Sequence, residues 1–378
     1  VELARFFIEL SADVAAQDKH GSTPLHKASL SGSVELARLL VKHGADVKAQ
    51  DKYELTPLHQ TSLYGSVELA SFLIEHGADV ETRDKRGSTP LHQALLSGSV
   101  ELTRFLIEHG ADVTAPDKNG SIPLHKASEI GSVELVCFLI GRNAGPTAQD
   151  NDGSTPLHLA SEYRKYEART IPRQPWRGRD SPGQEWVDSP PSRSVDIARF
   201  LVEYDADVTA QDNNGSAPLH QVSKIGNIEL ARLLVEHGAD VMAQDENGST
   251  PLHQASRIRS VELARFLIEH GADVETQDKN GSTPLHQASK KRSVEFTRLL
   301  VEHGADVSAK DNDGSAPLNQ ATRIRSIELA RFLIKHGADV GARDKHGSTP
   351  VRHALNMQSM KPAHLLVEYG TDATAEFV

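Results

Sequence analysis

Nineteen histidines pose the first chemical question of this chain. His26, His59, His92, His125, His158, His220, His253 and His286 each close a Thr-Pro-Leu-His segment or a near variant of it. His43, His76, His109, His237, His270, His303 and His336 each stand immediately before Gly-Ala-Asp. Imidazoles in such number suit metal ligation or proton transfer, and both need side chains that converge. A zinc ion takes each ligand nitrogen at about 2 Å. Equivalent positions in stacked helical units sit about 8–10 Å apart, so a ladder of this pitch cannot chelate. No Gly-rich phosphate loop, serine elbow or paired carboxylate motif stands outside the recurring pattern. The chain is therefore expected to be no enzyme and to need no cofactor or metal. Cys137, the single cysteine, sits where other units carry an exposed Arg on their second helix. Neither Val136 nor Phe138 would lower its pKa, so a chance surface substitution is the expected reading.

The histidines recur because the chain does. Asp18, Asp51, Asp84, Asp117 and Asp150 follow one another at intervals of 33 residues, as do Asp212, Asp245, Asp278, Asp311 and Asp344. One offset breaks the register, between Asp150 and Asp212. A fixed period of this length marks a solenoid. Residues 245–277 serve as the template. Asp245-Glu246-Asn247-Gly248 is turn chemistry, with the Gly supplying a left-handed position. Thr250-Pro251 reads as a helix start, the hydroxyl at the N-cap and Pro at the first helical position. That short helix stops in other units at a Gly such as Gly32 or Gly226. Ser260 caps a second helix over Val261 to Glu269, with Val261, Leu263, Ala264, Leu267 and Ile268 as its apolar stripe. Gly271 ends it. Helices this short are marginal alone, so each unit must lean on its neighbours.

The DxxGxTPLHxA…GADV pattern resembles the ankyrin repeat. The resemblance covers about nine-tenths of the chain in about ten units, the length of period that marks such arrays. It implies an all-α solenoid of stacked helix-turn-helix units with β-hairpin or turn fingers, and a binding role without catalysis. The near-identical units are similar to tandem arrays in large intracellular proteins, fungal ones especially. The resemblance also makes the TPLH histidine structural, bonding the nearby Thr hydroxyl and adjacent backbone. Asn319 could replace it in part, having both donor and acceptor; Arg352 could not accept.

Composition sets further bounds. One cysteine allows no internal disulfide, which fits a reducing compartment, and the expected location is intracellular, cytoplasmic or nuclear. A formal net charge of −11 argues against general nucleic-acid binding. No run approaches the length of a membrane span, and no secretory leader opens the chain. The chain begins in mid-repeat: residues 1–17 align with 34–50, leaving Leu3, Phe6 and Phe7 without the first helix that should cover them. It is accordingly read as an N-terminally truncated piece of a longer protein.

Three segments are expected. Residues 1–163 form an N-terminal block. Residues 164–192 form an insert in the fifth repeat, holding Pro172, Pro175, Pro182, Pro190, Pro191 and both tryptophans, Trp176 and Trp186. Residues 193–378 form a C-terminal block that ends in a degraded repeat. By its composition the insert is expected to bury too little surface to fold alone. It reads as a disordered loop, as a recruiting loop built on the Pro172-Arg173-Gln174-Pro175 core and the Ser181-Pro182 and Ser189-Pro190 sites, or as a gene-model artefact. Gly141 to Pro146 stand where EHGADV is expected, and Glu54 replaces a turn Gly.

Since the frame is nearly constant, the informative positions are those that vary between units. One set is the finger tips: Lys19, His20, Lys52, Tyr53, Lys85, Arg86, Lys118, Asn119, Asn213, Asn214, Glu246, Asn247, Lys279 and Asn280. The other is the row of first-helix ends: Leu30, Leu63, Leu96, Glu129, Lys224, Arg257, Lys290 and Arg323. That row changes from apolar through acidic to basic, and Arg259, Lys291, Arg292 and Arg325 thicken its basic end. One reading is a solvated rim in which Glu262, Glu295 and Glu328 pair with the arginines three residues before them. The sharper reading is a basic ridge for an acidic protein segment. The expected function is a monomeric protein-interaction scaffold that binds protein partners, neither nucleic acid nor membrane, through the groove of fingers and first helices. Its rivals are the regulatory or sensor arm of a larger intracellular protein whose catalytic or nucleotide-binding domain is missing here, and a freshly duplicated array tuned to no partner.

Overall fold

A computed structural model describes residues 1–162 and 190–356, and every structural statement below concerns those residues. They form two compact units, Val1–Asp207 and Val208–Val378. The first opens with α1 (Glu2–Glu9), followed by the pairs α2 (Pro24–Leu30) and α3 (Val34–Lys42), and α4 (Pro57–Tyr64) and α5 (Val67–Glu75). Next come α6 (Pro90–Leu96) with α7 (Val100–Glu108), α8 (Pro123–Glu129) with α9 (Val133–Ile140), and α10 (Pro156–Ser161) with α11 (Pro190–Glu203). The second unit holds α12 (Pro218–Ile225) and α13 (Ile228–Glu236), α14 (Pro251–Ile258) and α15 (Val261–Glu269), then α16 (Pro284–Lys290) and α17 (Val294–Glu302). It continues with α18 (Pro317–Arg323), α19 (Ile327–Lys335) and α20 (Pro350–Asn356). No strand occurs among the described residues, so the fingers take the turn form.

Each unit is a row of hairpins stacked side by side. In the first, α2, α4, α6, α8 and α10 pack in succession, and α3, α5, α7, α9 and α11 form a parallel row behind them. In the second, α12, α14, α16, α18 and α20 make one row and α13, α15, α17 and α19 the other. The core runs between the rows. Leu25, Leu58, Leu91, Leu124 and Leu157 near the starts of the first helices have no exposed surface, nor have Leu219, Leu252, Leu285 and Leu318. Burying such a side chain stabilises by about 1.5–3 kcal/mol, and no short hairpin could bury it alone. The template helix α15 matches its sequence reading at both ends. Its buried face is rotated slightly, however. Leu263, Ala264 and Leu267 are buried as expected, Phe266 joins them, and Val261 and Ile268 are only half-buried. Ser33, Ser66, Ser99, Ser132, Ser293 and Asn227 cap their second helices through the side chain, whereas Ser260 makes no such bond.

Backbone conformation is held more constant than sequence. Positive φ occurs at Ser11, Glu54, Asn143, Asp205, Arg259, Arg292 and Arg325, each at a place where sister units carry Gly. The segment Gly141 to Pro146, degenerate in sequence, therefore keeps its form: Asn143 takes the left-handed turn at φ 63° and Ala144 is buried. Glu54 likewise accepts the left-handed geometry at φ 60°. Left-handed backbone costs an L-residue about 1–2 kcal/mol, so the surrounding stack imposes it.

Residues 164–189 of the expected insert, with both tryptophans, lie outside the described residues, while 190–192 form the first turn of α11. The expected degradation at Pro362 also lies outside them. At the other end, Leu3, Phe6 and Phe7 of α1 are exposed, as their sequence context implied. No described helix is long and apolar enough to cross a membrane.

Candidate partner-binding surface

The fingers are organised by the recurring Asp. Oδ1 of Asp84 accepts the backbone N–H of Arg86 at 2.8 Å and of Ser88 at 2.9 Å, and the Gly87 N–H closes the turn onto the Asp84 carbonyl. The same pattern holds in every finger, from Asp18 to Asp344. Fingers are also tied to one another. The Lys85 N–H donates to the Tyr53 carbonyl at 2.9 Å, and Lys279 N–H to Asn247 carbonyl at 2.8 Å. This close approach explains the turn glycine: a Cβ on Gly281 would lie 2.8 Å from the Asn312 nitrogen.

Because the Asp carboxylates are spent on backbone, the two residues after each remain outside. Every finger-tip residue named from the sequence is exposed. Some fold along the row rather than outward. The Lys52 ammonium donates to the Lys19 carbonyl at 2.6 Å, and Lys345 pairs with Asp313, whose carboxyl is held below its ordinary pKa by that contact. At the base of the first finger, Lys27 lies 2.9 Å from Asp18 and lowers the Asp18 pKa to about 2. Gln93, Gln254 and His353 reach the second oxygen of their own finger Asp from the same slot as Lys27.

The first-helix ends are accessible too, Glu129 least of them. Leu30, Leu63 and Leu96 are exposed in the first unit, and Glu129 is half-buried with its carboxylate 3.5 Å from Lys126. Lys224, Arg257, Lys290 and Arg323 are exposed in the second unit, as are Arg259, Lys291, Arg292 and Arg325. Lys224 and Arg257 contact Gln221 and Gln254 at 3.1 and 3.3 Å on their own helices. The pairing of Arg259, Arg292 and Arg325 with Glu262, Glu295 and Glu328 does not form among the described residues; Arg292 instead reaches the Arg325 carbonyl at 3.4 Å. Among the described residues, Arg259, Arg292 and Arg325 are thus not neutralised by the glutamates three residues after them. Tyr64 and Ile258, exposed beside Leu63 and Arg257, extend these rows and were not singled out from sequence. Their place directly after a row residue at a helix end was the available signal.

The histidines are structural. His26 Nδ1 accepts the Thr23 backbone N–H at 3.2 Å and lies 2.8 Å from the Thr23 hydroxyl. An acceptor nitrogen carries no proton, so the proton sits on Nε2, which donates to the Leu55 carbonyl of the next finger at 2.9 Å. His59, His92, His125, His220, His253 and His286 repeat this bond to a carbonyl 29 residues ahead. It survives beside Ile122 and Ala217, where no hydroxyl exists, because the backbone N–H suffices. Burial lowers the pKa of these six below the ordinary histidine value. Asn319 keeps only half of the role: its Oδ1 accepts from Ala316 at 3.1 Å, and its buried Nδ2 has no partner. Arg352 points to solvent. In the second set of histidines, His76, His109, His237, His270, His303 and His336 donate from Nδ1 to the carbonyl four residues back. Burial raises the pKa of the half-buried Cys137. Among the described residues no group of three or more His, Cys, Asp or Glu could hold a metal ion.

Family models described as Ankyrin repeats (3 copies) match residues 47–117, 192–278, 238–311 and 271–344. Models described as Ankyrin repeats (many copies) match residues 8–60 and 96–140. No curated protein matches the chain.

Proposed function

The chain belongs to the ankyrin-repeat family, and from that premise we propose that it is a monomeric scaffold holding protein partners against its fingers and first-helix ends. Ankyrin repeats are in general protein-interaction modules without catalysis. The observation that carries the proposal is the split between frame and surface. Within the fingers and first helices the residues that repeat are mostly buried or spent on backbone hydrogen bonds, while those that vary stand at the finger tips and first-helix ends and, Glu129 apart, are exposed. The exposed Glu and Arg of the second helices, such as Glu262 and Arg265, hardly change from unit to unit. Partner protection in hydrogen exchange is expected on the fingers and the ends of the first helices. Protection confined to the second-helix row would overturn this assignment.

Within the second unit the partner is an acidic protein segment. Lys224, Arg257, Lys290 and Arg323 line one row, and Arg259, Arg292 and Arg325 add cations to the same ends. Unpaired surface charges act mainly on association rate. Reversing Arg257, Lys290 and Arg323 together to Glu should slow capture of a glutamate-rich peptide at low salt by about tenfold or more. An association rate equal to that of the unsubstituted chain would remove the ridge from the function.

A further inference from the structure

We infer that the first unit carries a second docking face, built for an acidic amphipathic helix; this rests on the scaffold reading and specifies a partner for a different part of the surface. Leu30, Leu63 and Leu96, at or next to the last position of α2, α4 and α6, keep 41%, 41% and 46% of their surface exposed. Leu25, Leu58 and Leu91 in the same helices are fully buried, so the exposed leucines are surplus to the core. A large apolar side chain repeated at one surface position in three consecutive units makes a contiguous strip rather than scattered exposure.

The strip has a pitch. Since α2 packs on α4 and α4 on α6, its leucines step by about one helix spacing, 8–10 Å. A helix laid along the row returns to the same face every seventh residue, a rise of about 10.5 Å. A strand offers same-face residues about 6.6 or 13 Å apart and misses that step. Charge supplies the second requirement. Lys19, Lys52, Lys85 and Arg86 are exposed on the fingers that lead into α2, α4 and α6, and Lys118 on the finger after them, whereas Asp84 and Asp117 are buried and turned onto backbone N–H groups. The finger side is therefore cationic and the helix-end side apolar, which calls for a helix with one acidic and one leucine-like flank. Glu129 ends the apolar row at the next unit.

The probe is a labelled helical peptide of about three heptads, with Leu at every seventh position and Glu along the adjoining flank. Fluorescence anisotropy against the full chain should show binding. Leu30→Ser, Leu63→Ser and Leu96→Ser combined should weaken it by at least about tenfold, the equivalent of losing one well-buried side chain. Lys85→Glu, Arg86→Glu and Lys118→Glu combined should weaken it, most strongly at low salt. All of these comparisons are made in a chain that already carries Arg257→Glu, Lys290→Glu and Arg323→Glu, so that the basic ridge of the second unit does not hold the acidic probe. Circular dichroism melts check that each variant folds, and Leu63→Gln alone replaces the triple variant if that one melts early. No binding, or equal binding by the leucine variant, overturns the face. Binding that vanishes on introducing the Arg257, Lys290 and Arg323 reversals also overturns it, while leaving the scaffold and its basic ridge standing.

Discussion

Asn319 shows what one side chain contributes to the stack. It is fully buried, accepts one hydrogen bond through Oδ1, and leaves Nδ2 unpartnered, too short to span to the next finger as histidine does. An unsatisfied buried donor costs about 1–3 kcal/mol. Asn319→His should therefore stabilise the second unit by about 1 kcal/mol, read as a rise in urea midpoint with an unchanged slope. The neighbour Ala316 is no obstacle, because His220 makes both bonds behind Ala217. The sequence made the histidine slot and the partial fitness of Asn319 legible, since donor and acceptor inventories follow from residue type. It did not disclose that Nε2 crosses to the next finger, because that bond joins residues 29 apart, beyond the reach of a reading made one unit at a time.

At the scale of the element, the first helices end in left-handed geometry whether or not a glycine is present. Arg259, Arg292 and Arg325 adopt φ of 64°, 61° and 60° at the ends of α14, α16 and α18. Sequence showed the missing glycines but not whether the ending or the strain would give way; the stacked neighbours decide in favour of strain. Each Arg→Gly exchange should raise stability by about 0.5–1 kcal/mol while weakening capture of an acidic segment. A variant that gained stability and lost no affinity would show these arginines to be passengers. Helix boundaries were legible because caps are local. The burial of Phe266 was not, because it depends on Arg232 of the preceding second helix, whose guanidinium lies 4.9 Å from the ring centroid. Arg38 over Phe72 and Arg298 over Phe332 repeat that relation between neighbours.

For the whole molecule, many equivalent histidines make one shared pH response. Burial lowers the pKa of His59, His92, His125, His220, His253 and His286, so the folded chain binds fewer protons than the unfolded one in the window beneath the ordinary value near 6.5. Their contribution is intact above that value and is lost as pH falls towards the folded-state pKa. Each histidine adds a slope of up to about 1.4 kcal/mol per pH unit within the window. Urea midpoints should hold from pH 8 to 7 and fall steeply below about pH 6. A flat profile down to pH 5 would mean that these imidazoles bind protons equally in the folded and the unfolded chain.

The histidine bond also has a direction. In His26, His59, His92, His125, His220, His253 and His286 the Nε2 reaches forward to a carbonyl that belongs to a later stretch of chain. On a ribosome, then, the newest complete hairpin always holds an unquenched ring proton until the following turn emerges, and consolidation trails translation by one module. A break made on the carboxyl side of a hairpin orphans a buried donor, whereas the same break on its amino side frees only a carbonyl that water can serve.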